Sequence, residues 1–143
     1  MNIKYTHQIL IASSLLVLTQ ASFAQVAVIV NPKSPMASMT PEQVAAVFMG
    51  KSNTLPSGST AAPADLPDSS SAREQFYSKA AGKNSAQVKA TWARLTFSGK
   101  ATPPKELVSA AEVKKFVASN PEVIGYIEKS AVDGTVKVVL IVD

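Results

Sequence analysis

Ala64-Asp65-Leu66-Pro67-Asp68-Ser69-Ser70-Ser71-Ala72-Arg73-Glu74-Gln75-Phe76 reads as a short strand, a serine-rich turn and the start of a helix. Ser71 suits the N-cap position, and Glu74 three residues later completes the capping-box pattern. A helix start carries unpaired backbone N–H groups and the positive end of the helix dipole. A strand, a turn and a helix in this order place such an N-terminus at the carboxyl edge of a sheet, where anions bind. Ser69 and Ser70 add hydroxyl donors, and Arg73 adds a planar, permanently charged fork suited to phosphate or carboxylate. Two readings of Ser69, Ser70, Ser71 and Arg73 stand side by side: an oxyanion site, or a well-capped helix carrying a solvated arginine.

Outward from this turn the chain alternates strand and helix signals. Val26-Ala27-Val28-Ile29-Val30 is a continuous β-branched run of the kind buried on both faces of a sheet, and Asn31-Pro32 ends it. Thr40-Pro41-Glu42-Gln43 combines an N-cap threonine, proline at the first helical position and Gln43 at the third. Val44, Val47 and Phe48 then share one helix face, and Gly50 closes the helix. Residues 51–67 read as a surface loop with Ala64-Asp65-Leu66 as a short strand.

After the central turn, Phe76, Tyr77 and Ala80 continue the helix to Gly82. Ser85 is the expected cap of a third helix with Val88, Trp92 and Leu95 inward, so Trp92 is assigned to the core. Ser109 and Glu112 open a fourth helix whose apolar face is Val113, Phe116 and Val117, and Asn120-Pro121 stops it. Ile124-Gly125-Tyr126-Ile127 and Thr135 to Val142 read as strands, with Asp133-Gly134 as a turn. The sum is three or four strands and about four helices in one α/β domain.

Residues 1–24 are read as a signal peptide. Lys4 gives a positive start, Ile9 to Leu18 is an apolar run too short for a comfortable membrane span, and Ser22-Phe23-Ala24 offers a signal-peptidase site. Cleavage after Ala24 is expected, leaving residues 25–143 as a periplasmic domain with no membrane insertion. The chain has no cysteine, and its one histidine, His7, lies in the leader. From Gln25 onward there is thus no material for a Ser-His-Asp triad, a cysteine nucleophile or the usual zinc site. The adjacent Ser78-Lys79 falls inside a helix. No enzymatic activity and no cofactor are expected. The formal net charge of +4 falls by one when Lys4 is removed, too mild a bias for a nucleic-acid partner.

Several stretches together resemble the phosphate-binding subfamily of the periplasmic substrate-binding proteins of ABC transporters. They are Thr40 to Lys51, the serine turn before Arg73 and Phe76, Trp92 to Gly99, and Asn120-Pro121-Glu122-Val123-Ile124-Gly125-Tyr126-Ile127. The first and last are similar to that family's IFxGK and NPGAIGY signatures. The resemblance implies a single lobe of a periplasmic-binding-protein-like, type II fold: a small mixed sheet flanked by about four helices. It implies phosphate or a similar small oxyanion as ligand, bound by Ser69, Ser70, Ser71 and Arg73. An ABC permease, or a second lobe or protomer, is the implied partner.

Two departures accompany the resemblance. Ser69-Ser70-Ser71 stands where the family has Ser-Gly-Thr, and Arg73 follows the loop instead of preceding it. The length suits one lobe, so the family's carboxylate that accepts a phosphate proton would lie on the other; Asp68 stands as its substitute or as a helix N-terminal charge. Beside the solute-binding reading stands a second one, a periplasmic interaction module that keeps the fold without tight ligand binding.

Overall fold

The computed structural model describes residues 25–143, so the expected leader and its cleavage site lie outside the described residues. Nine regular elements follow in chain order: β1 (Val26–Val30), α1 (Pro41–Phe48), β2 (Ala62–Asp65), α2 (Ser71–Phe76), α3 (Ser85–Phe97), β3 (Lys105–Glu106), α4 (Ala110–Ser119), β4 (Val123–Glu128) and β5 (Lys137–Val142). A π-helical turn over Tyr77–Ala81 prolongs α2, and a 3-10 turn over Lys129–Ala131 follows β4.

The five strands form one mixed sheet in the order β3-β2-β4-β1-β5. β2 runs parallel to both β3 and β4, while β1 is antiparallel to both β4 and β5. The sheet thus has one more strand than the sequence suggests. The addition is β3, two exposed residues behind Pro103-Pro104 that carry no hydrophobic period of their own. All five residues of β1 are buried, as its continuous apolar run requires of a strand between two others.

Side chains alternate across β4, so Gly125 and Tyr126 face opposite ways. On the Gly125 face lies α4. A Cβ at Gly125 would stand 2.7 Å from Val113 and 3.2 Å from Val117, so glycine is what lets α4 seat against the strand. On the other face Tyr126 stacks on Phe76 of α2, with ring centroids 4.0 Å apart and planes nearly parallel. Phe48 of α1 meets both rings edge-on, at 4.7 Å from Phe76 and 5.8 Å from Tyr126. Trp92 of α3 is buried against α1 and donates its indole N–H to the Phe48 carbonyl at 3.0 Å. Its assignment to the core holds. Gly50, just past α1, has φ +75°, and a Cβ there would meet Leu95 at 2.7 Å and Trp92 at 2.9 Å.

Most helix starts match the sequence. Thr40 and Gln43 form a reciprocal capping box on α1, and Ser109 accepts from the Glu112 N–H on α4. Two caps shift by one residue. Ser70, not Ser71, caps α2 by accepting from the Arg73 N–H at 3.3 Å. The Ser70 N–H is itself turned onto the Pro67 carbonyl, which fixes the extended backbone that a cap needs. Asn84, not Ser85, caps α3, because Gln87 stands three residues after Asn84 and returns its side chain to the Asn84 N–H.

Candidate functional site

β2, β3 and β4 end at one edge of the sheet, on Asp65, Glu106 and Glu128. The turns leaving this edge carry the chain into α2 and α4. Between the two helix starts lies a cavity of about 280 Å³ lined by Leu66, Pro67, Ser69, Ser70, Ala72, Val108, Ser109, Ala110 and Glu128. Both cap serines, Ser70 and Ser109, face this space, and Ser69 joins them. Two helix N-termini at one cavity of mixed apolar and polar lining make a local concentration of N–H donors and positive dipole. Val108 at its rim is 75% exposed, high for an apolar side chain. Glu128 adds a carboxylate to the wall.

Of the four residues singled out from sequence, Ser69 and Ser70 line this cavity; Ser71 and Arg73 do not. Ser71 is exposed on the first turn of α2. Arg73 is only 9% exposed and its guanidinium is committed inward. One terminal nitrogen of Arg73 stands 2.9 Å from Asp65 Oδ2 and donates to the Leu66 carbonyl at 2.9 Å; the other lies 3.3 Å from Asp68 Oδ1. Its Nε is buried with no hydrogen-bond partner among the described residues. Arg73 is therefore not a solvated residue. The guanidinium also lies 5.1 Å from the Tyr77 ring centroid, in cation–π range.

Asp65 is the hub of this cluster. Its Oδ1 accepts from the Tyr126 hydroxyl and from the Leu66 N–H at 2.8 Å. Its Oδ2 accepts from the Tyr77 hydroxyl at 2.5 Å as well as from Arg73. Every lone pair is in use, the condition under which a buried ion pair is tolerated. Burial pushes both tyrosine pKa values well above their ordinary range, and the charge of Asp65 pushes them further. Burial alone would lower that of Arg73, but Asp65, the tyrosines and Asp68 hold it above its ordinary value. Asp68 sits outside, bridging Arg73 and Lys89; the Lys89 contact holds its carboxyl below the usual range.

Ser109, Ala110 and Glu128 were not singled out as site residues from sequence. The Ser109 cap itself was legible. That it stands opposite Ser70 follows from the strand order, which places β3, the strand leading into α4, parallel and next to β2, while β4 on the other side of β2 brings Glu128. Among the described residues no group of three or more His, Cys, Asp or Glu side chains could hold a metal ion.

No described family matches the chain, and no curated protein does. Solved structures do. A substrate-binding protein assigned to phosphate ABC transport in Clostridium perfringens, solved with phosphate bound, superposes with a TM-score of 0.64 at 21% identity, covering 81% of this chain and 45% of that one. An ABC-type phosphate transport receptor from Vibrio cholerae gives 0.64 at 21% identity, covering 81% and 46%. PstS from Borrelia burgdorferi gives 0.59 at 16% identity, covering 82% and 47%. The α/β fold expected from the sequence is thus the fold of these binding proteins, and the chain spans less than half of their length.

Proposed function

We propose that this chain is an exported binding module for phosphate or a similar small oxyanion, held at the carboxyl edge between the starts of α2 and α4. The observation that carries the reading is the shared cavity. Ser69, Ser70 and Ser109 line it together at two helix N-termini, in a fold whose solved neighbours are phosphate-transport binding proteins. The ligand oxygens would take the hydroxyls and the free first-turn N–H groups, an arrangement suited to an anion. Ser71 plays no direct part in this reading. Arg73 acts from behind, by fixing Leu66 and Asp68 on either side of Pro67 as the chain enters the turn, and gives the ligand no direct fork. The module binds and releases and performs no reaction.

The cavity wall includes Glu128, whose carboxylate works against a fully ionised anion. A protonated oxyanion can instead donate its O–H there, so hydrogen phosphate or arsenate is favoured over sulfate. One open cavity leaves the ligand partly hydrated, which limits affinity. A second lobe or protomer over the same edge, or an ABC permease, would complete the site. Export rests on residues 1–24, and the protein recovered from a periplasm should begin at Gln25 by intact mass. No described helix is long and apolar enough to cross a membrane.

The second reading, an interaction module without tight ligand affinity, is favoured by one observation: the only arginine in the turn is already spent on Asp65. Calorimetric titration with phosphate, arsenate and sulfate, with amide NMR of residues 69, 70, 109 and 110, separates the two. The binding reading expects saturable shifts at those amides, loss on Ser69→Ala, and a gain of sulfate relative to phosphate in Glu128→Gln. Unperturbed amides at millimolar phosphate would reject it in favour of the interaction module.

A further inference from the structure

The opposite side of the molecule carries a second, larger groove. It measures about 770 Å³ and runs between the end of α1, the chain leaving α3 and the entry to β2. Lys51, just past α1, and Lys100, just past α3, both line it, with Ser52, Asn53 and Thr102 as neutral polar groups and Trp92 and Pro63 among its apolar residues. None of its lining residues is acidic. Lys105 contributes its stem, while its ammonium lies 4.6 Å from the Phe116 ring centroid. Beyond Gly50 and Lys51 an adjoining groove of about 530 Å³ adds Lys83 and Arg94 against a single acid, Glu42.

The ion pairs among the described residues all lie elsewhere. They use Arg73, Lys89 and Lys114, and none uses Lys51, Lys83, Arg94 or Lys100. Lys51 and Lys100 each follow a helix C-terminus, where the dipole favours a cation. That accounts for their tolerance but leaves their charge unpaired in a concave surface. Cations brought together in a cleft without counter-charges focus an attractive field for an anionic partner.

We propose that this groove binds an acidic, extended segment of a partner protein. Its form decides among anionic partners. A membrane surface needs a flat or convex face, and a single-stranded nucleic acid needs stacking platforms. This groove offers one largely buried indole, apolar residues among the neutral polar side chains of Ser52, Asn53 and Thr102, and two lysines outside any ion pair. Those suit a polypeptide that presents carboxylates outward and small apolar side chains inward. The site is separate from the oxyanion cavity and does not depend on it.

The chain's single tryptophan lines the groove, so its emission reports occupancy directly. The protein beginning at Gln25 is titrated with a synthetic hexapeptide of alternating glutamate and leucine, and with the matching lysine–leucine peptide. The expected result is a saturable change in Trp92 emission with the acidic peptide alone, weakened by added salt. Replacing both lysines, as Lys51→Gln with Lys100→Gln, should weaken it about tenfold. Lys115→Gln, on the opposite side of the sheet, should leave it unchanged, and so should the charge-conserving pair Lys51→Arg with Lys100→Arg. An absent response, an equal loss in Lys115→Gln, or a response to anionic lipid vesicles or polyphosphate with none to the peptide would overturn the proposal.

Discussion

The turn from Asp65 to Arg73 presents two surfaces built on opposite principles. Toward the cavity it offers Ser69 and Ser70, short hydroxyls on half-covered backbone with unspent donors. Toward the core it offers Asp65 and Arg73, whose charged groups are largely matched to Tyr77, Tyr126, Leu66 and Asp68. The first surface is weakly determined by its surroundings and open to a ligand. The second is strongly determined and holds the first in place. Charge alone does not place a side chain in this cavity: the arginine of the stretch is turned onto Asp65 and Leu66, and the serines face the open space.

The comparison breaks most sharply at Asp65. Asp65→Ala leaves the Arg73 guanidinium buried beside two orphaned phenols, and loss of one partner of a buried pair costs about 3–5 kcal/mol. Urea denaturation of the protein beginning at Gln25 reads this as a lower midpoint with an unchanged slope. Arg73→Ala should cost a similar amount. A loss of phosphate binding at unaltered stability would instead move Arg73 out of the scaffold and onto the ligand.

Alkali tests the same cluster without a mutation. The folded-state pKa values of Tyr77 and Tyr126 lie above the ordinary 10.0. Their stabilising effect is therefore complete below pH 10 and declines above it, as the unfolded chain loses protons that the folded chain keeps. The slope should be about 1.4 kcal/mol per pH unit for each of the two tyrosines. In Tyr126→Phe one of the two contributions is gone and the slope should halve. That variant also removes a donor from Asp65 and should cost about 1–3 kcal/mol at neutral pH. No decline above pH 10 in the parent would mean that the two hydroxyls reach solvent.

Local signals made most of the scaffold legible. Thr40-Pro41-Glu42-Gln43 marks α1 because every device of a helix start lies within four residues. Val26–Val30 announces a strand covered on both faces, and Val88 and Trp92 announce the inner side of α3. The role of Arg73 was not legible, because Tyr126 lies 61 residues from Asp65 and joins it only through the sheet. The cavity was half legible. Its serine turn is contiguous in sequence, whereas Ser109 and Glu128 arrive through a strand order that no local pattern encodes. β3 was invisible because two residues behind a Pro-Pro step carry no period. Ser70 and Ser71 were confused because three adjacent serines share the same capping chemistry, and the Pro67–Ser70 turn alone decides between them.

The smallest effects sharpen the boundary between the two surfaces within that serine run. Ser70 accepts from the Arg73 N–H, so Ser70→Ala should lower stability by about 1 kcal/mol. Ser71 is exposed and caps nothing, so Ser71→Ala should stay within about 0.5 kcal/mol of the parent. Ser69→Ala should be as silent in stability as Ser71→Ala and differ from it only in binding, since Ser69 lines the cavity and Ser71 does not. The three alanine variants thus separate three roles that lie on consecutive residues. Thermal unfolding with and without phosphate reads them together: a lower midpoint in both conditions with a reduced phosphate shift for Ser70→Ala, a lost phosphate shift alone for Ser69→Ala, and neither for Ser71→Ala. Should Ser71→Ala lose the phosphate shift while Ser69→Ala keeps it, the ligand lies on the solvent side of α2, and the cavity between α2 and α4 is not the site.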